Sequence, residues 1–496
     1  MTSYLPDLTA NEIAALSPCS KVVLDMNKRI MNEQHRRFPP KITKRKSKRV
    51  GNTIESIDSS SFCNNLNDEQ KACFVRITQS DRSFFITGKA GCGKSFLLSR
   101  IILYFRSCLP SKGSLGVTAT TGLAAQNIWG QTIHSLIGFV PQLDRHSLKD
   151  VQLYITMIKN NSGAVYRIKK LQVLIIDEVS QMHTQYFQMM NAIFISIRGN
   201  TLPFGGIRLI MCGDFMQLPP VHEDGAFVFQ SELWKDHIHI VRLKSNVRHA
   251  DEDTIAFMDF VRVGAPSANK PDYFDRLVSR LSSTNPADMR IRLFCTKKRV
   301  VEYNYERLTQ GAGPNDIQTY ISVDWFSGLC QTYDARTMSG LKETLDNLCD
   351  RQVLLKIGAP VMVTKNLNMF NNNRVSNGGR GTILALADDC VTVKMDICGR
   401  IHNFQSVEFK VFDACGQVLA SRSAVPIVLA YATTIHKAQG ATLDKAHVTI
   451  ENEFAAGLIY VAVSRVSHIE NLSLSLWGTG LLDLKVDAEC LTYSDL

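Results

Sequence analysis

The octapeptide Gly88-Lys89-Ala90-Gly91-Cys92-Gly93-Lys94-Ser95 constrains this chain more than any other feature. It follows the apolar run Phe84-Phe85-Ile86-Thr87 and precedes a helical pattern over Ser95 to Phe105. GxxxxGKS between a strand and a helix is the pattern of a phosphate-binding loop. Its glycines let backbone N–H groups curl round a β-phosphate, and the positive end of the following helix favours the anion. In that geometry Lys94 reaches the β- and γ-phosphates and Ser95 ligates magnesium.

A loop of this kind needs a parallel sheet to sit on. The runs Leu115-Gly116-Val117-Thr118, Val173-Leu174-Ile175-Ile176 and Leu209-Ile210-Met211-Cys212 read as strands buried on both faces, as in a sheet covered by helices. A second series begins at Ile291-Arg292-Leu293-Phe294-Cys295 and resumes at Val425 to Ala430, Val448-Thr449-Ile450 and Tyr460 to Val463. Between them, over 351–424, short segments separated by Gly and Asn predict a small β-rich insertion: Val353 to Lys356, Thr382 to Leu386, Val391 to Met395 and Val407 to Phe412. The expected organisation is a basic extension over 1–60, a first α/β domain over 61–240, a second over 241–350 and 425–496, and the insertion at 351–424.

A chain of 496 residues with 45% hydrophobic and 21% charged composition has room for two or three cores. It contains no apolar run long enough to cross a bilayer, and Asp7 and Glu12 interrupt its start, so neither membrane insertion nor secretion is expected. Its 13 cysteines stand singly, without CxxC pairs or zinc spacing, which predicts free thiols inside the cell and no structural metal. Lys and Arg outnumber Asp and Glu by 56 to 46, a net charge of +10 that suits a polyanionic partner. Part of that excess lies in His35-Arg36-Arg37 and Lys41, Lys44, Arg45, Lys46, Lys48 and Arg49. This stretch reads either as a solvated tail or as a nuclear-import or nucleic-acid-binding arm.

Phosphate chemistry needs a carboxylate for the metal and another for the attacking water. Asp177 and Glu178 end an apolar strand and supply both, Asp177 for magnesium and Glu178 for the water. Gln217, in Cys212-Gly213-Asp214-Phe215-Met216-Gln217-Leu218-Pro219-Pro220, is the candidate γ-phosphate sensor. Taken singly, such acids also fit solvated turns, and such a glutamine fits an ordinary surface loop.

From about Leu66 to Trp477 the order of motifs resembles superfamily 1 helicases, and most closely the petite-integration-frequency (Pif-type) 5′-to-3′ DNA helicases, which are RecD-like. Leu66-Asn67-Asp68-Glu69-Gln70 resembles the adenine-reading motif of that family. Val117 to Ala125 and Gly130-Gln131-Thr132-Ile133-His134-Ser135 resemble its strand-tracking motifs. Asn246-Val247-Arg248 and Tyr460-Val461-Ala462-Val463-Ser464-Arg465 resemble its two arginine motifs. Leu354 to Met362 and Asn377 to Gly381 are similar to the opening of its inserted subdomain, and Ala430 to Thr442 to the motif joining nucleotide to DNA.

The resemblance implies an α/β fold of two RecA-like P-loop NTPase domains with parallel sheets, the second carrying a small β-rich, SH3-like insertion. It implies an ATP-dependent DNA helicase, active as a monomer on single-stranded and forked DNA, with Mg2+ as cofactor and ATP as substrate. Gln70 would face the base and Gly440 would join the loop residues at the nucleotide. Arg248 and Arg465 would reach the γ-phosphate, a placement worth about 10³ to 10⁵ in rate. Thr118, Thr120, His134, Ser135, Thr434, His436 and Lys437 would contact DNA, since sequence-independent tracking uses small donors to phosphate and sugar. For His134 and His436 a buried imidazole bonded to backbone is the competing reading, and Thr118 and Thr434 also fit ordinary strand positions. The chain departs from the family pattern at His183-Thr184 and at Gln188-Met189-Met190. An RNA helicase and a nucleotide-dependent switch or assembly ATPase remain open at the level of sequence, while the presence of every expected catalytic position argues against a non-catalytic nucleic-acid-binding module.

Overall fold

Phe84 and Ile86 pack into one hydrophobic core and Phe85, between them, into another. A strand whose alternate side chains are all buried must lie inside a sheet covered on both faces. In the computed structural model this strand is β1 (Ser83–Gly88) of a six-stranded sheet with β2 (Leu115–Ala119), β3 (Gln131–Thr132), β4 (Val173–Asp177), β5 (Arg208–Gly213) and β6 (Ile238–Leu243). The order is β3-β2-β4-β5-β1-β6, and every pairing is parallel. The described residues are 62–138, 151–220, 226–247, 252–264, 271–283, 291–313, 316–328, 330, 335–369, 373–375, 377–396, 398–412, 418–441, 443–451, 455–476 and 484–495. None of the described helices is long and apolar enough to cross a membrane.

The chain divides into two units, each of which stands here by itself. The larger takes in Ser59–Tyr305 and Tyr431–Leu496. Besides the first sheet it holds a second parallel sheet with the strand order Ala432–Thr434, Ile291–Phe294, Ala446–Ile450, Leu472–Leu476. The two sheets define two lobes of one unit, and a single hydrophobic cluster runs from Phe85 and Leu174 in the first to Val448 and Leu474 in the second.

The other unit includes Glu306–Asp413 and Gln417–Ala430 and is β-rich. Its main sheet is antiparallel, with Ile401–Gln405, Cys390–Met395, Arg380–Ala387, Pro360–Val363 and Ile427–Leu429 in that order. Arg422 is fully buried there, bonded to Asp324 at 2.5 Å, to Asp346 at 2.9 Å and to the Cys349 carbonyl at 2.8 Å.

The structure redraws several elements. The β-rich unit spans more than 351–424, because Val323–Phe326 pairs with Val418–Ala424 and Ile317–Ile321 with Gln352–Lys356. The run at Val425 to Ala430 belongs to that unit too, where Ile427–Leu429 pairs antiparallel with Pro360–Val363. Strand β6 crosses the expected boundary at 240 and pairs with β1. Tyr460 to Val463, expected as a strand, lies in the helix Leu458–Val463, which Gly457 opens at φ 73. A short apolar run buried all round carries no periodicity, so strand and helix are indistinguishable from it alone. The departures at 183–190 are absorbed locally: His183 caps the helix Thr184–Arg198, and Met189 and Met190 are core residues.

Candidate nucleotide site and adjoining surfaces

The carboxyl ends of β1, β4 and β5 converge, which is where open α/β sheets place their ligands. At the end of β1 the loop turns through Gly88, Gly91 and Gly93, all at positive φ, before the helix Lys94–Cys108. A Cβ at Gly93 would also lie 2.4 Å from the Gln70 amide nitrogen and displace that side chain. Gln70 is buried and held in a reciprocal cap with Asn67, and it donates to the Cys92 carbonyl at 3.4 Å. The loop is also bonded to the segment that leads to Arg248, for Val247 N–H donates to the Gly91 carbonyl at 2.9 Å. Glu69 accepts from Lys244 and Ser245 N–H at 2.7 and 3.0 Å, fixing the same segment. Arg248 itself lies outside the described residues, as do residues 35–49.

Lys94 donates from Nζ to the carbonyls of Gly88 and Lys89 at 2.6 and 2.9 Å. Burial opposes its charge, but Cys92, Asp214, Cys212 and Glu178 outweigh that and raise its pKa. Asp177 is buried beside it, and burial reinforced by the Glu178 charge pushes its pKa up to about 7. Glu178 adopts φ 53, a left-handed conformation uncommon for a residue other than glycine. The strain is held from both sides, by Thr120 Oγ1 donating to the Glu178 carbonyl at 2.8 Å and by Gln439 Nε2 donating to its carboxylate at 3.3 Å. Gln439 is fixed in turn by Gln181 at 2.5 Å.

A cavity of about 400 Å³ opens here. Its walls include Gln70, Ala90, Gly91, Gly93, Lys94, Ser95, Glu178 and Gln217 from the first lobe and Gly440 and Arg465 from the second. Lys89 is exposed and pairs with Asp259 at 2.8 Å. Gln217 is buried with its side-chain oxygen lacking a protein hydrogen-bond partner. Arg465 is 5% exposed, with Nε on the Val461 carbonyl at 2.7 Å, Nη1 on Ala441 at 3.2 Å and Nη2 on the Ser464 hydroxyl at 2.6 Å.

The residues expected at DNA divide. Thr118 is fully buried in β2 and its hydroxyl donates to the Ile175 carbonyl at 2.6 Å, as an ordinary strand position does. Thr434 is buried as the N-cap of the helix Ile435–Ala438, accepting from Lys437 N–H at 3.3 Å. Thr120 serves Glu178, as described. His134 stacks on Tyr186 with centroids 4.9 Å apart, and burial pulls its pKa down to about 4. Burial lowers the His436 pKa as well. Ser135 and Lys437 are exposed.

Sequence reasoning missed a polar cluster behind the loop. Asp214 accepts from Arg262 at 3.1 Å and from the Tyr460 hydroxyl at 3.1 Å, all three residues being buried. No local signal pairs residues so far apart in sequence; only the presence of Asp214 and Tyr460 inside quoted motifs marked them at all.

Comparison with known proteins agrees with this geometry. Residues 65–261 match the family model for PIF1-like helicase. The chain is 34% identical over 417 residues to the ATP-dependent DNA helicase PIF1 of Danio rerio, covering 82% of this chain and 60% of that protein. To the ATP-dependent DNA helicase Pif1 of Bdellovibrio bacteriovorus it is 30% identical over 418 residues, covering 82% and 88%. It therefore spans about 60% of the length of the vertebrate relatives it matches. Among solved structures, Pif1 helicase from Candida albicans gives a TM-score of 0.74 at 31% identity, over 87% of this chain and 99% of that one. Pif1 helicase from Bacteroides in complex with ADP-AlF3 and ssDNA gives 0.69 at 27% identity, over 87% and 96%. With its parallel-sheet lobes, phosphate loop and this likeness to a relative matched over most of its length, the chain belongs to the PIF1-like helicase family.

Proposed function

We propose that this chain is an ATP-dependent DNA helicase that moves 5′ to 3′ along single-stranded DNA and opens duplex ahead of it. The observation that carries the reading is the single cavity bounded by the phosphate loop, Glu178 and Gln217 on one lobe and by Gly440 and Arg465 on the other. A nucleotide there touches both lobes, so its hydrolysis changes what holds them together.

Lys94 and the loop amides hold the phosphates, and Gln70 faces the base side. Ser95 and Asp177 are hard oxygen donors suited to Mg2+, which neutralises charge developing on the phosphates when bound. Among the described residues no group of three His, Cys, Asp or Glu gathers as a metal site. Glu178 orients the attacking water, and Gln217, with its unpartnered oxygen, senses the γ-phosphate side. Arg465, and Arg248 from the segment tied to Gly91, supply positive charge where it develops.

The route to DNA runs through Gln439, which bonds Glu178 one residue before Gly440 and two after Lys437. A shift of the helix Ile435–Ala438 on the strand therefore displaces the water-orienting carboxylate. Relatives support this reading: Bacteroides Pif1 was solved bound to ssDNA, and another structure concerns unwinding at forked dsDNA by two coordinating Pif1 helicases. The test is unwinding of a partial duplex with either a 5′ or a 3′ single-stranded tail. Opening from the 5′ tail is expected; preferential opening from the 3′ tail sinks the directional claim.

A further inference from the structure

Tyr460 lies 1% exposed in the helix Leu458–Val463, whose residues are all buried. The apolar packing of that helix has no need of a hydroxyl, and a phenylalanine would fill nearly the same volume. A buried hydroxyl is costly unless it is bonded, so its two partners are informative. Tyr460 accepts the Ala90 N–H of the phosphate loop at 2.7 Å and donates to Asp214 Oδ2 at 3.1 Å. The other oxygen of Asp214 takes Arg262 Nη2 at 3.1 Å and Met216 N–H at 3.2 Å. One phenol thus joins the loop, the end of β5 just ahead of Gln217, and the helix Glu252–Val263.

The same helix steers Arg465. Its Nε donates to the carbonyl of Val461, the residue after Tyr460. The start of the helix has little freedom, because Gly457 packs so closely that a Cβ there would lie 2.5 Å from the Met216 carbonyl oxygen. Donor and acceptor roles are fixed as well. Burial and the Asp214 charge hold the phenol well above its ordinary pKa, and Asp214 stays below its own because Arg262 and Lys94 outweigh the effect of burial.

We propose that the Tyr460 hydroxyl is a positioning group that locks the helix leading into Arg465 to the Ala90 amide of the phosphate loop, so that the loop's conformation sets the alignment of the arginine. The proposal rests on the chain being an ATPase and deepens that reading. The Tyr460 hydroxyl bonds the loop and Asp214, so its role is positioning, exerted through Arg465 and the loop.

The experiment is a double-mutant cycle in the full chain: wild type, Tyr460→Phe, Arg465→Lys and both together. Steady-state ATP hydrolysis is measured without DNA, alongside binding of a fluorescent ADP analogue and thermal unfolding. Tyr460→Phe is expected to lower kcat by roughly 10- to 10²-fold, the scale of a small misplacement of a catalytic group. KM and ADP affinity should change less than about 3-fold, since uniform binding is untouched. In the Tyr460→Phe background Arg465→Lys should cost clearly less than in wild type, because the arginine is already misaligned. Effects that multiply, an unchanged kcat, or a loss confined to KM would each overturn the proposal. So would a Tyr460→Phe chain that no longer binds ADP, since the hydroxyl would then serve the fold itself. Hydrolysis without unwinding would sink the helicase reading and leave this inference standing, whereas a wild type that hydrolyses no ATP sinks both.

Discussion

At the scale of single residues, burial sets the protonation of the histidines. His134, His402 and His447 each have a pKa pulled down to about 4, in every case chiefly by burial. The folded chain keeps them neutral, while the unfolded chain protonates them near 6.5. Between those values the unfolded state binds more protons, so stability rises with pH there and falls as pH drops from about 6.5 toward 4. Replacing His134 by Gln should flatten that slope by up to roughly 3 kcal/mol, measured as unfolding midpoints from pH 7 to pH 4.5. An unchanged slope would mean that His134 is solvated and free to take a proton. Glu178 shows the same logic for the backbone. A glutamate at φ 53 persists only because Thr120, Gln439 and Gln181 over-determine it, and such strain gathers at functional sites.

At the scale of elements, the helix Ala488–Asp495 follows the second lobe in sequence yet docks on the first. Tyr493 stacks on Phe229 with centroids 4.3 Å apart, its hydroxyl accepts from Trp234 Nε1 at 3.1 Å, and its carbonyl accepts from Arg242 at 3.1 Å. Tyr493 is half-buried, so Tyr493→Ala should destabilise the larger unit by about 2 to 3 kcal/mol in denaturant unfolding, below the range for a fully buried aromatic. A change under about 1 kcal/mol would show the docking to be incidental. This helix was not legible in the sequence. Strands β1, β2, β4 and β5 were, because both faces are buried and each leaves an uninterrupted apolar run next to a motif. Tyr460 to Val463 left the same kind of run and forms a helix, since total burial erases the period that distinguishes the two. The β-rich unit was legible as β, but its limits depend on pairings such as Val323–Phe326 with Val418–Ala424, which no local pattern reveals. Within the site, Lys94, Glu178, Gln217 and Arg465 were found because their motifs are contiguous. Arg262 and Asp259 were not, since they sit on an ordinary amphipathic helix and gain their partners only in three dimensions.

At the scale of the molecule, the two lobes of the larger unit divide the chemistry between them. The first lobe holds the loop, the acidic pair and Gln217; the second brings Gly440, Arg465 and Tyr460. A switch ATPase would need the first set alone, whereas a motor needs its DNA-facing elements to reach the water-orienting carboxylate. On the proposed reading Gln439, through its hydrogen bond to Glu178, provides that reach. Because a water-positioning group and an aligned arginine are each worth orders of magnitude in rate, the proposed mechanism expects small shifts on the DNA side to set the hydrolysis rate. The most direct test is ATP hydrolysis by the purified chain with and without single-stranded DNA, with RNA of the same sequence as comparator and Lys94→Ala as control. Stimulation of at least about tenfold by DNA, less by RNA, and a loss of about 10²-fold or more in Lys94→Ala are expected. Hydrolysis indifferent to DNA would contradict the account.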